Sequence, residues 1–240
     1  MGRRLLLVSC ALFCLLGVPS APARVSMAGG DGWVQLDAAP PPAHVIVHVG
    51  DAVALRSRPF GPVVERLGAT TEFGSPRAFG VVTQRGGWLG VTDARLGNGR
   101  LGWIDARAAR VSYSRTRLEI DVDLSSRTLV LRRDEVTILR TSIGVGRAGS
   151  PTPTGRFAVT DKLNGPSYSR YYGCCILALS ATQPNLPRGW SGGNRIAIHG
   201  TPFASDFGRA VSAGCVHAPD GVLRSLMRTI PLGTPVFIHA

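Results

Sequence analysis

Ile198-His199-Gly200 is followed, after a short interval, by Ser212-Ala213-Gly214-Cys215-Val216-His217, with Cys215 sixteen positions beyond His199. A cysteine in a glycine-bearing turn, with a histidine supplied from a separate segment, has the parts of an activated thiol nucleophile. A free thiol titrates near 8.5, so it needs a base or a hydrogen-bonding neighbour before it reacts as thiolate. His199 is the candidate base. Gly214 permits a tight turn in which backbone N–H groups point at a reacting carbonyl, which an oxyanion site requires. The orienter for His199 needs to be a third group, and no Asp or Asn occupies an obvious position beside it; a backbone carbonyl could serve.

Outward from this pair the sequence reads as strands. Arg195-Ile196-Ala197-Ile198 is a short strand presenting His199 at its end, and Cys174 to Ser180 reads as a buried strand. Between them Thr182 to Gly193, with Pro184, Pro187 and Gly189, makes a long loop of the kind that covers a site. Beyond Cys215, Val222, Leu223, Leu226, Met227 and Ile230 recur at helical spacing, with Asp220 as the cap and Pro231 and Gly233 as stops. Pro235 to His239 closes as a strand. Upstream, Leu118, Ile120, Val122 and Leu124 alternate at period two and are followed by two further strand patterns, Thr128–Arg132 and Val136–Ile143, a meander signature. Ser150-Pro151-Thr152-Pro153-Thr154-Gly155 is a rigid turn leading into Arg156–Thr160, and Lys162 to Arg170 reads as a loop.

The first half has a different texture. From His44, short apolar segments separated by Gly, Pro and Asn argue a small β-barrel over residues 44–111. Trp88 and Trp103 fit either a groove or the core. Ser112 to Arg117 is polar and reads as a join. With 30 glycines and 17 prolines in 240 residues, short strands and turns are favoured over long helices, so the fold class is mainly β.

The net charge of +12 rests almost wholly on arginine, Lys162 being the only lysine. Such a surface attracts polyanions, including an acidic cell-wall polymer. No basic block interleaved with aromatics is present, so no nucleic acid partner is expected. Met1-Gly2-Arg3-Arg4 and the apolar run Leu5 to Val18, with Ala21-Pro22-Ala23 behind them, read as a secretory signal over residues 1–23. The run is short for a membrane span, so no integral span is expected after cleavage. Residues 24–43, with Pro40-Pro41-Pro42, read as a linker. Cleavage leaves Cys174, Cys175 and Cys215, an odd number in an oxidising compartment.

At these residues the second half resembles the L,D-transpeptidase catalytic domain, also called the YkuD domain. The likeness rests on His199-Gly200, the spacing to Ser212-x-Gly214-Cys215-Val216, the Thr152-Pro153-Thr154-Gly155 turn and the leading meander, and covers residues 117–240. Residues 44–111 resemble bacterial SH3-like modules, with Ala-Leu-Arg-Ser-Arg-Pro at the opening and a late Gly-Trp-Ile strand. The fold implied is an SH3-like barrel followed by a β-sandwich with one helix behind the nucleophile. The resemblance implies that Cys215 is the acyl-accepting nucleophile and His199 the base, with the Gly200 carbonyl as orienter. It places the oxyanion site at the amides of Gly214 and Cys215, in the turn that Ser212 opens. The implied substrates are peptidoglycan stem peptides: a donor tetrapeptide that loses its terminal D-alanine to form a Cys215 thioester, and an acceptor amine that resolves it into a cross-link between third residues. Water as acceptor would make the chain an L,D-carboxypeptidase. The SH3-like module implies a cell-wall polymer as partner, and the location implied is periplasm or cell wall. Two positions depart from the commonest family pattern: Ala213 where a second histidine is frequent, and His217 where arginine or asparagine is usual. A substrate contact made by His217 would weaken as pH rises.

Rival readings are a metal site and a non-catalytic wall-binding protein. Adjacent cysteines on a strand face opposite ways and no C-x-x-C pair exists, so no metal and no cofactor are expected. Cys174 and Cys175 read as one buried and one near-surface thiol, with a regulatory disulfide from one of them to Cys215 as the alternative. Tyr168, Tyr171 and Tyr172 read as a structural loop cluster, and no role is assigned to His44, His48 or His239.

Overall fold

The structure, a computed structural model, describes residues 43–108 and 110–240. The signal over residues 1–23 and nearly all of the linker over 24–43 lie outside the described residues. Strands β1 (His44–Val49), β2 (Val53–Arg56), β3 (Val63–Leu67), β4 (Ala78–Arg85), β5 (Trp88–Val91), β6 (Gly102–Asp105) and β7 (Val111–Thr116) form one seven-stranded sheet in the order β3-β2-β6-β5-β4-β1-β7. Its core is a cluster of small β-formers and leucines, Val47, Val49, Val53, Leu55, Val91 and Ile104 among them, closed by Phe79. Trp88 and Trp103 are buried, with the Phe60 ring edge-on to Trp88 and the Arg85 guanidinium over Trp103.

The polar join expected over Ser112 to Arg117 is instead the strand β7, paired with β1 from Val49↔Val111 to His44↔Thr116. The physical reason is its place at the sheet edge. Polar residues alternating with Val, Tyr and Thr suit a strand whose one face and one edge meet water. The first sheet therefore runs to Thr116, past the boundary at 111 that the sequence suggests, and the second begins two residues later.

That second unit carries β8 (Leu118–Asp123), β9 (Thr128–Arg133), β10 (Val136–Ser142), β11 (Val145–Gly146), β12 (Gly155–Asn164), β13 (Cys175–Thr182), β14 (Arg195–His199), β15 (Ala210–Ser212), β16 (Val216–His217), helix α1 (Asp220–Thr229) and β17 (Pro235–His239). Eight of these strands share one sheet, β10-β9-β8-β17-β12-β13-β14-β16, while β11 and β15 pair separately in parallel. The chain is mainly β, and this unit is sandwich-like. The meander β8 to β10 forms as its alternation predicts, with Leu118, Ile120 and Val122 turned inward. Strand β12 runs on to Asn164 through residues expected to loop, because Lys162, Leu163 and Asn164 continue the ladder with β13.

Strand β13 is buried on both faces. Cys175, Leu177, Leu179 and Ala181 enter the main core with Leu223 and Leu226 of α1. Full burial of each such leucine contributes about 2–3 kcal/mol. The opposite face meets the first sheet: Ser180 Oγ accepts from the Ala158 amide at 3.0 Å and shares a hydrogen bond with Thr92 Oγ1 at 2.8 Å. Asn98 completes the join by acting as a piece of strand. Its Nδ2 donates to the Thr182 carbonyl at 2.7 Å, and its Oδ1 accepts from the Thr182 amide at 2.9 Å.

The helix start differs from expectation. Asp220 is the first helical residue and caps nothing with its side chain; Pro219 stands at the N-cap. The Asp220 carboxylate accepts instead from the Cys174 amide at 3.1 Å, so it ties the helix to the start of β13. Lys162 holds the other end of α1, its Nζ donating to the carbonyls of Met227 and Ile230 at 2.8 Å each. A cation there meets both unpaired carbonyls and the negative end of the helix dipole. Among the described residues no helix is long and apolar enough to cross a membrane.

Candidate active site

Antiparallel pairing of β13 with β14 and parallel pairing of β14 with β16 deliver the site. His199 ends β14 opposite Ile176, and Cys215 sits immediately before β16, in the turn that follows β15. Both side chains open into one cleft of about 330 Å³, with His217. The long loop after β13 borders this cleft through Gln183, Leu186 and Trp190, as a covering loop should.

His199 is 5% exposed. Its Nδ1 lies 2.6 Å from the Gly200 carbonyl oxygen. A carbonyl only accepts, so Nδ1 carries the proton and Nε2 is left as the basic nitrogen. The Tyr172 ring stands edge-on to the imidazole at 4.8 Å, and the His217 ring lies 4.7 Å from it. Burial pushes His199 down to about 4, with the His217 charge adding to the effect and the Gly200 carbonyl and Asp206 opposing it. The imidazole is therefore neutral at pH 7.

Gly200 holds its carbonyl in place because nothing larger fits. A Cβ there would come 2.3 Å from Asp220 Oδ1 and 2.7 Å from the Gly173 Cα. The Gly200 amide donates to the Cys175 carbonyl at 3.3 Å, and the Ala218 amide donates to the His199 carbonyl at 2.9 Å.

Cys215 is a free cysteine with part of its side chain open to the cleft. That opening is largely apolar, and burial pushes the thiol up to about 11 against a weaker opposing hydrogen bond from the Ala197 backbone. The resting pair is thus a thiol and a neutral imidazole, the state in which a general base works at the moment of attack.

Ser212 and Gly214 shape the turn, though not as expected. The Gly214 amide donates to Ser212 Oγ at 3.0 Å, and that hydroxyl donates to the Cys215 carbonyl at 2.6 Å. The Gly214 amide, one of the two donors expected for an oxyanion, is thus already engaged by the serine oxygen. Gly214 matters through its backbone: φ is +124°, and a Cβ would sit 2.1 Å from Gln183 Nε2.

His217 lies beside His199 and is held by Asp206, whose Oδ2 is 2.8 Å from Nδ1 and also accepts from Thr201 Oγ1 at 2.7 Å. Sequence reasoning missed Asp206 and Thr201, which come from a loop without periodicity or motif. It also missed Gln183. That buried amide donates to the Pro151 carbonyl at 2.9 Å and the Ala213 carbonyl at 3.1 Å, joining the Ser-Pro-Thr-Pro turn to the cysteine turn.

Cys174 and Cys175 are bonded to each other. This replaces the expected pair of thiols and the alternative disulfide to Cys215. Cys174 stands just outside β13, where the backbone has left the regular pleat, so the opposite-faces argument does not hold there. Among the described residues no group of three His, Cys, Asp or Glu is placed to hold a metal ion.

A family model described as the L,D-transpeptidase catalytic domain, YkuD, matches residues 117–238. The Bacillus subtilis protein named as L,D-transpeptidase YqjB is 32% identical over 40% of this chain and 57% of its own length. The one named YkuD, from the same organism, is 28% identical over 50% of this chain and 65% of its own. The chain thus spans less than two thirds of these curated relatives. Among solved structures, an Enterococcus faecium L,D-transpeptidase is 23% identical with a TM-score of 0.40, covering 51% of this chain and 50% of that one. A Mycobacterium smegmatis L,D-transpeptidase is 18% identical with a TM-score of 0.41, covering 58% and 73%. Structural likeness at this level bears on neither activity nor substrate. The family match covers half the chain and contains the thiol, the histidine and both turns, and the chain belongs to the YkuD family of L,D-transpeptidase catalytic domains.

Proposed function

We propose that the chain is an exported, cysteine-dependent acyltransferase that cross-links peptidoglycan stem peptides through their third residues. The observation that carries this reading is the shared cleft of Cys215 and His199, with the imidazole tautomer fixed by Gly200 so that Nε2 is the proton acceptor. Cys215 Sγ attacks the carbonyl carbon of the donor's third residue as its proton passes to His199 Nε2. The Cys215 amide faces the oxyanion. The bond to D-alanine then breaks, the departing amine takes the proton from His199, and a thioester remains. An acceptor amine attacks the thioester, gives its proton to His199 and releases Sγ, which is reprotonated. Positioning and charge stabilisation in a partly closed, apolar cleft supply the rate.

His217, oriented by Asp206, is a substrate-facing polar group in this scheme. Residues 44–111 are read in this scheme as an SH3-like module with a wall-binding role. The test is incubation of the chain with disaccharide-tetrapeptide, with products followed by mass. Loss of D-alanine with appearance of a cross-linked dimer is expected, and neither should occur with Cys215→Ala. D-alanine release without dimer would assign the L,D-carboxypeptidase reaction instead, and unchanged activity in Cys215→Ala would overturn the thioester route.

A further inference from the structure

The first sheet reaches into the cleft. Between β3 and β4 the chain makes a loop, Ala69 to Pro76, whose Phe73 lines the same cleft as Cys215 and His199. The loop is built to hold its shape. Thr71 N donates to the Ser75 carbonyl at 2.9 Å, and Gly74 N donates to the Thr71 carbonyl at 3.1 Å. Thr71 Oγ1 accepts from the amides of Phe73 and Ser75 and donates to the buried Asp161 carboxylate of β12. Arg77 is buried at the loop's exit and donates to the carbonyls of Gly68 and Thr70.

The loop is also fastened to the strand that carries the histidine. Glu72 pairs with the Arg195 guanidinium, which lies 5.7 Å from the centre of the Phe73 ring. Arg195 opens β14, and its carbonyl is the one that the Cys215 thiol approaches at 4.0 Å. The Phe73 ring is half-buried and meets Tyr168, from the loop between β12 and β13, edge-on at 6.4 Å, and both rings line the cleft. A spacer or tethered binding module would have no need of a residue here.

We propose that Phe73 is a substrate-contacting specificity residue: the loop after β3 forms a wall of the catalytic cleft and packs against the bound stem peptide. This rests on the stem-peptide reading above. The first sheet then contributes to turnover directly, through a side chain that residues 117–240 alone lack.

The test compares Phe73→Ala, Phe73→Tyr and the unaltered chain in the cross-linking assay, varying donor and acceptor stems separately. For Phe73→Ala, KM for at least one stem should rise about tenfold, the loss of one aromatic contact worth about 1.4 kcal/mol. In that variant kcat should change little, and Phe73→Tyr should restore KM. Alkylation of Cys215 by iodoacetamide should keep its rate in both variants, which shows the cysteine turn intact. Unchanged KM for both stems in Phe73→Ala overturns the proposal, and so does an altered alkylation rate accompanied by a fall in kcat alone. If the unaltered chain releases no D-alanine, the stem-peptide reading itself fails. The proposal is then decided by titrating disaccharide-tetrapeptide into Cys215→Ala with and without Phe73→Ala. Weaker binding in the double variant sustains it, while equal binding or none overturns it.

Discussion

His199 Nδ1 donates a hydrogen bond to the carbonyl of the residue that follows it, Gly200, across 2.6 Å. An acceptor fixed in the main chain orients the ring as a carboxylate would, but brings no full negative charge to stabilise an imidazolium. Burial keeps the base neutral when idle, and the thiol, buried against an apolar cleft, keeps its proton.

The first prediction concerns Cys215 reactivity. With the thiol near 11, the thiolate fraction should climb about tenfold per pH unit below that value. The iodoacetamide rate at Cys215 should accordingly rise without a plateau from pH 6 to 9. A plateau reached below pH 7 would mean a standing thiolate–imidazolium pair and would contradict the neutral resting state.

The second concerns stability in acid. The folded-state value of His199 lies near 4, below the ordinary 6.5, so the unfolded chain binds the extra proton first as pH falls. The contribution is complete above pH 6.5 and is lost progressively down to pH 4, by about 3 kcal/mol at most. Urea midpoints measured at pH 7 and pH 4.5 should differ by less in His199→Gln than in the unaltered chain. Equal differences would show that the fold accommodates the charged ring.

A third prediction tests the turn. Gly214→Ala introduces a Cβ at 2.1 Å from Gln183 Nε2 and forces an alanine to φ +124°. A cost of about 2–4 kcal/mol and loss of activity are expected. Gln183→Ala leaves the carbonyls of Pro151 and Ala213 without their donor and should cost about 1–3 kcal/mol. If both variants melt with the unaltered chain, the amide is not the clasp between the two turns.

Lys162 supplies the fourth. Its ammonium meets two carbonyls at the end of α1, and removing it strands both. Lys162→Met retains the apolar stem and should destabilise the fold by about 1–3 kcal/mol. Lys162→Arg should recover part of the loss. Denaturant unfolding decides it, and a Lys162→Met midpoint equal to the unaltered one would remove the capping role.

Much of this was legible in sequence because it is local. Alternation in Leu118–Val122 predicts β8, and the His-Gly and Gly-Cys signatures mark two turns that depend on backbone geometry. What the sequence hid is non-local. Asp206 reaches His217 across eleven positions from a loop without pattern, and Gln183 joins turns some thirty residues away on either side. Phe73 comes from the other sheet altogether. Strand β7 was hidden for another reason: an edge strand half in water carries the composition of a linker.

The last prediction concerns the cysteines. The bond between Cys174 and Cys175 leaves Cys215 as the one free thiol among the described residues. Peptide mapping of protein alkylated without reductant should find label on Cys215, while the Cys174-Cys175 peptide is unlabelled and lighter than the dithiol by two hydrogens. Reduction should expose both to alkylation. A disulfide stabilises chiefly by restricting the unfolded chain, in proportion to the loop it closes, and here it closes none beyond the two residues themselves. Reduction should accordingly shift stability by less than about 1 kcal/mol, well under the effect of a bond spanning a long loop. Label on Cys174 or Cys175 before reduction would contradict the pairing, and a large fall in the unfolding midpoint after it would show that the bond holds the start of β13 in a shape the chain does not take unaided.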